Sequence, residues 1–146
     1  MQYRKFGKLD WKVSALGFGA MRLPVLSEDS ANINKPLATK MIRYAIDHGV
    51  NYFDTAYPYH EKQSEIVVGR ALLNGYRKKV KLATKLPSWL VESPDDFDRF
   101  LDEQLEKLRT DHIDFYLLHA LNSTRWPKLR DWEVLNWAES ALADGR

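Results

Sequence analysis

Hydrophobic and polar positions along this chain switch between two periods, and the switches mark out its elements. Residues Gln2 to Phe6 and Lys12 to Ala15 are short extended runs joined by Gly7-Lys8-Leu9-Asp10-Trp11, the pattern of a β-hairpin. Leu16 to Leu23 is apolar with Gly17 and Gly19 in alternation, a strand whose glycines imply tight packing or the close approach of another group. Pro24 ends it, and Ser27 to Lys35 is a polar loop. Leu37, Met41, Ile42, Ala45 and Ile46 then keep helical spacing, with Pro36 in the first turn and Gly49 at the C′ position. Val50 to Phe53 reads as a buried strand. Ser64 offers an N-cap to a helix that carries Ile66, Val67, Leu72 and Leu73 and closes at Gly75. Val80 to Lys85 is the next strand, broken by Pro87. Ser93-Pro94-Asp95-Asp96 starts a helix with Ser93 as N-cap, and Phe97, Leu101, Leu105 and Leu108 form its buried face. Ile113 to His119 is a further strand. A loop with Asn122, Ser123 and Pro127 leads to a last helix from Asp131 to Gly145.

The order is a hairpin and then βαβαβαβα, which means an α/β fold with a parallel sheet and right-handed crossovers. Units recur at roughly 30 residues without a repeated side-chain pattern, as successive βα modules do and solenoids do not. No linker divides the chain, so residues 1–146 are expected to form a single domain, with the hairpin in 1–15 and βα units 1 to 4 in 16–146.

Composition acts mainly by exclusion. The net charge of +2 gives no electrostatic case for nucleic acid. Arg77-Lys78-Lys79 and Lys81 read as a solvated face, offset by the acids between Glu92 and Asp98. There is no cysteine, which removes disulfides, thiolate catalysis and cysteine-ligated metals. His48, His60, His112 and His119 show no metal-like pairing, so no metal is expected. No apolar stretch approaches membrane-spanning length, and Met1 to Lys5 leads into no signal-peptide core. A cytoplasmic protein without a membrane partner is expected. Trp126, Trp132 and Trp137 read as packing residues, and Gly17-Phe18-Gly19 lacks the third glycine of a dinucleotide fingerprint.

In a parallel α/β fold the C-terminal strand ends share one face, and ligands bind there. Asp54, Lys85 and His119 stand at such ends, and Tyr59 follows Asp54 closely enough to fold back over the same face. Singly, each has an ordinary use: a cap, a solvated lysine, a structural histidine, a packing aromatic. Jointly on one face they point to a site. A free phenol titrates near about 10, too weak an acid for efficient proton donation at neutral pH. A neighbouring ammonium favours the phenolate. Asp54 is expected to hold Lys85 by a charge-assisted hydrogen bond, and His119 to orient a carbonyl oxygen or assist the proton transfer. None of these groups supplies a hydride, so redox chemistry here needs a cofactor.

At these residues the chain resembles the aldo-keto reductase family, (β/α)8 barrels that reduce carbonyls with NADPH. The motifs are Leu16-Gly-Phe-Gly-Ala-Met-Arg22, Asn51-Tyr-Phe-Asp-Thr-Ala-Tyr57, Ala83-Thr-Lys85 and Asp114-Phe-Tyr-Leu-Leu-His119. Ser64-Glu65 followed by Val68-Gly69-Arg70-Ala71-Leu72 fits its second helix. The hairpin looks like the family's plug across the barrel bottom. The resemblance implies Asp54, Tyr59, Lys85 and His119 as catalytic residues, with Tyr59 the proton donor. It also implies Gly19, Met21, Arg22 and Asp54 near the nicotinamide of NADPH, with NADH as the alternative, and an aldehyde or ketone as substrate. His60 receives neither role. Tyr57-Pro58-Tyr59-His60 looks like a bacterial or archaeal branch in which a ferredoxin-like domain often follows the barrel. Without cysteine, these 146 residues hold no iron–sulfur domain. A closed barrel takes about 250 residues. The expectation is therefore the N-terminal half of a TIM-type barrel, apparently truncated, with open sheet edges suited to self-association. An inactive half-barrel fragment and a non-catalytic cofactor-binding subunit are the alternatives.

Overall fold

The computed structural model describes residues 1–146. Strands β1 (Tyr3–Lys5) and β2 (Lys12–Ser14) pair antiparallel, with Tyr3 opposite Ser14. Strands β3 (Phe18–Gly19), β4 (Tyr52–Asp54), β5 (Lys81–Leu86) and β6 (Phe115–Leu118) form a parallel sheet in chain order. Helix α1 (Lys35–Asp47) joins β3 to β4, α2 (Ser64–Ala71) joins β4 to β5, and α3 (Asp96–Leu108) joins β5 to β6. Two short helices, α4 (Arg125–Asp131) and α5 (Val134–Ala143), follow β6. The expected α/β order of hairpin and four βα units is what the chain builds.

Strand residues alternate between two faces, and this decides what each does. Phe53, Leu82 and Leu86 are buried in the two apolar clusters, whereas their neighbours Tyr52, Asp54 and Lys85 are half-buried on the opposite, inner face. One cluster gathers Ile42 and Ile46 of α1 and Val67 and Val68 of α2 against Phe53 and Leu82. The other gathers Phe97 and Phe100 of α3 with Leu86, Leu129 and Val134, and Trp126, Trp132 and Trp137 pack against it. At the N-terminal end of the inner face, Phe6 of the hairpin meets Phe115 with ring centroids 5.2 Å apart, and Tyr52 meets Phe115 at 5.5 Å. The hairpin is thus an aromatic floor under one end of the sheet, leaving the C-terminal strand ends at the other.

Several local expectations are corrected. Leu16 to Leu23 is not one strand: pairing ends at Gly19, and Ala20–Arg22 is a single 3-10 turn. Gly17 does lie against the Tyr52 ring, 3.5 Å from the position of a Cβ, but a Cβ on Gly19 would meet nothing within 4 Å. Ser64 does not cap α2. It lies in the first turn, donates its hydroxyl hydrogen to Ala20 O at 3.0 Å and meets Thr55 Oγ1 at 2.9 Å. Ser93 does not cap α3 either. The Asp96 carboxylate instead accepts from the Glu92 and Ser93 amides at 2.7 and 3.1 Å, pulling the chain entering the helix back onto its first turn. The last helix starts later than expected, at Val134 after Glu133 with its left-handed φ of 58°, and the stretch read as a loop around Pro127 holds the further helix α4. Arg77 leaves the solvated basic run. Its guanidinium donates to Thr110 Oγ1, Val80 O, His112 O and the Asp114 carboxylate, all between 2.8 and 3.1 Å.

Candidate functional site

Adjacent parallel strands bring residues together by register. Gly19 pairs with Asp54, and Asp54 with Ala83, so Lys85 stands two residues further along β5 on the same inner face. Its ammonium donates to Asp54 Oδ1 at 2.8 Å and to Thr55 O at 2.7 Å. Its third hydrogen faces the Tyr59 hydroxyl at 3.4 Å, and Nζ lies 4.9 Å from the Tyr59 ring centroid. The lysine side chain is only 12 % exposed and the aspartate 30 %, so this ion pair is partly desolvated and correspondingly strengthened.

His119 follows the last residue of β6, where its amide donates to Leu86 O at 3.0 Å and its carbonyl accepts from the Ser88 hydroxyl. Its ring meets Tyr59 edge-on at 5.9 Å between centroids and Trp89 at 5.2 Å. Burial pushes the imidazole below its usual range, the Lys85 ammonium adds to this, and Asp54 opposes it. The first two effects disfavour the imidazolium, and the buried Nδ1 has no hydrogen-bond partner. Asp54, Lys85, Tyr59 and His119 come together from three strands' ends and one loop. The arrangement holds a cation against a phenol, with an imidazole edge-on to the same ring.

Gly19, Met21 and Arg22 sit on the neighbouring strand end and 3-10 turn, with Met21 and Arg22 exposed. A Cβ built on Gly19, which pairs with Asp54, would meet nothing within 4 Å, so this strand end is open. His60 lies outside this group, bonded to Leu23 N and Ser30 O. No group of three or more His, Asp or Glu residues is arranged to hold a metal ion, and no helix is long and apolar enough to cross a membrane.

Behind the sheet lies a polar network that the hydrophobic pattern missed. Glu65 Oε1 accepts from Thr84 Oγ1 at 2.7 Å and from Gln104 Nε2 at 2.6 Å, Gln104 Nε2 also lies 3.2 Å from Lys85 O, and Tyr116 donates to Gln104 Oε1 at 2.7 Å. Glu65, Thr84 and Gln104 are completely buried. Burial drives the Glu65 carboxyl up, while the bonds from Thr84 and Gln104 and the Lys107 ammonium pull the other way without cancelling it. A signal existed: Gln104 falls on the same helical stripe as Phe97, Leu101 and Leu108. Thr55 and Ser64 do the equivalent work for β4, joining its end to Ala20 O.

The sequence matches the Aldo/keto reductase family over residues 15–136. A probable aldo-keto reductase 1 from Glycine max is 31% identical over 128 residues, covering 82% of this chain and 36% of that protein. An aldo-keto reductase from Bacillus halodurans, solved in its holo form, superposes with a TM-score of 0.66 at 32% identity, covering 80% of this chain and 40% of that one. An aldo-keto reductase from Klebsiella pneumoniae, solved in complex with NADPH, gives 0.64 at 29% identity, with 81% and 42% covered. The chain thus spans well under half the length of these relatives. Four parallel βα units, the hairpin floor and the match over most of its residues lead to one conclusion: this chain belongs to the aldo/keto reductase family.

Proposed function

We propose that the protein is the N-terminal half of an oxidoreductase barrel that reduces aldehydes or ketones to alcohols, with Tyr59 as the proton donor. One observation carries this: the Lys85 ammonium stands between the Asp54 carboxylate and the Tyr59 hydroxyl. As Tyr59 gives up its proton, negative charge grows on its oxygen, and the ammonium stabilises it. Asp54 and Thr55 O hold that ammonium in place. A neutral His119 donates a hydrogen bond to the substrate oxygen and fixes its direction, without competing as a second cation. Gly19, Met21, Arg22 and Asp54 hold the nicotinamide end of NADPH, which supplies the hydride when bound. The K. pneumoniae relative, solved with NADPH, supports that choice over NADH. Residues 1–146 act as one domain in this role, and the outer strands β3 and β6 offer unpaired backbone to further strands.

Tyr59→Phe tests this directly. Loss of a positioned acid lowers turnover by about 10²–10⁴-fold. NADPH-dependent aldehyde reduction is expected to fall in that range while nucleotide affinity is unchanged. Unaltered turnover refutes the assignment.

A further inference from the structure

Tyr59 has a single side-chain hydrogen-bonding neighbour, Lys85, at 3.4 Å, so where its phenol stands depends on the loop that carries it. The next residue, His60, is 8 % exposed, although Glu61 and Lys62 beside it are exposed. Its Nε2 accepts from the Leu23 amide at 2.9 Å, and an imidazole nitrogen that accepts carries no hydrogen. The hydrogen is therefore on Nδ1, which donates to Ser30 O at 2.7 Å. One neutral ring in one tautomer bonds both.

The two partners lie at the base and the tip of a single loop. Asn34 N donates to Pro24 O at 2.7 Å, Leu26 N to Asn32 O at 2.8 Å, and Val25 bridges to Ile33, closing residues 24–34 on themselves. The loop stands between β3 and α1, directly after Met21 and Arg22. On the other side of the ring, His60, Glu61 and Lys62 have φ values of 53°, 50° and 68°. Three successive non-glycine residues in the left-handed region are unfavourable and persist only where surrounding contacts impose them. The backbone bonds from Gln63 N to His60 O and from Ser64 N to Tyr59 O close that turn, and the His60 ring anchors it laterally.

We propose that His60 is a positioning residue: its ring staples loop 24–34 to the turn after Tyr59 and so sets the distance of the Tyr59 phenol from Lys85. The importance of that distance rests on the proton-donor role above; the staple itself does not. The Lys85–Asp54 pair and the sheet have their own supports, so breaking the staple displaces Tyr59 and leaves the rest standing.

The test uses the full chain, with amide hydrogen exchange at Leu23 and the 13Cζ resonance of Tyr59, identified by its loss in Tyr59→Phe. In His60→Leu, Leu23 exchange accelerates at least about tenfold for a broken buried hydrogen bond. The Tyr59 resonance moves towards that of a free tyrosine, and β4 and β5 amides keep their protection. His60→Gln, whose Oε1 reaches the position of Nε2, restores Leu23 protection and returns the Tyr59 resonance towards its original shift. His60→Asn, which reaches only the Nδ1 position, does not. Should His60→Leu fail to fold, the Gln and Asn pair decides by the same contrast. An unmoved Tyr59 resonance in a folded His60→Leu chain, or equal behaviour of the Gln and Asn variants, overturns the proposal. Both readouts are independent of turnover. Full activity in Tyr59→Phe would therefore remove the proton donor and leave the staple standing.

Discussion

Gly69 is where the backbones of α2 and α3 approach closely, and replacing it with alanine gives the sharpest test of how the rear of the sheet is built. A Cβ there would lie 2.5 Å from Lys107 O, 2.6 Å from Leu108 C and 2.7 Å from Leu108 Cα. Ordinary carbon contacts begin at about 3.5 Å, so three backbone atoms are overlapped by nearly 1 Å each. Backbone cannot swing aside as a side chain can, so the two helices must part. Overpacking costs about 1–3 kcal/mol, and its upper end applies here. Parting the helices also stretches the 2.6 Å bond from Gln104 to Glu65, a buried interaction worth about 1–2 kcal/mol. Alanine returns about 1 kcal/mol through helix propensity. The expected net loss is about 3–4 kcal/mol. Urea unfolding followed by fluorescence of the five tryptophans measures it, as a midpoint lowered by about 1–2 M. Gly19→Ala is the control, because its Cβ meets nothing within 4 Å, and its midpoint should barely move. A Gly69→Ala chain as stable as the parent would show that the helices have slack, and the packing argument would fail.

Three further outcomes follow from the same contacts. Burial raises the Glu65 carboxyl above its unfolded value, so the folded chain holds a proton that the unfolded chain releases. That stabilisation is complete below the unfolded value and is lost as pH rises through the folded one. Glu65→Gln should flatten this fall in melting temperature, and an unchanged slope would refute it. His119 is shifted the other way, chiefly by burial, so its contribution is intact above about 6.5 and is lost as pH falls through the depressed value. NMR titration of His119 should find its midpoint below that of a free imidazole, and His119→Gln should flatten the acid side of the stability curve. Arg109 caps α3 with φ 55° and makes no side-chain hydrogen bond. Arg109→Gly should stabilise by about 0.5–1 kcal/mol, since glycine relieves left-handed strain but gives back some chain entropy; a lower unfolding midpoint would contradict that.

Much of this architecture was legible because its signals are local. Helical spacing in Leu37 to Ile46 and in Phe97 to Leu108 located α1 and α3, and Gly49 marked its turn through a φ of 92°. Boundaries failed where a side chain served a distant partner. Ser64 and Ser93 carry the composition of caps, yet Ser64 spends its hydroxyl on Ala20 and Thr55, and Asp96 takes over the work at α3. Leu16 to Leu23 looked uniform because hydrophobicity does not record where a partner strand ends. Helix α4 was hidden because Pro127, which reads as a loop residue, stands in its first turn.

By itself the sequence determined the α/β order, the parallel sheet and the set of groups gathered at its C-terminal edge. Period and strand-end position are properties of single segments, and they survive without knowledge of the neighbours. Tertiary structure alone decided the distances, 2.8 Å from Lys85 to Asp54 and 3.4 Å to Tyr59, and the burial that disfavours a charged His119. It also decided that Glu65, Gln104 and His60 are buried and bonded, because a polar residue's partner is set by the register of strands and helices far from it in the chain.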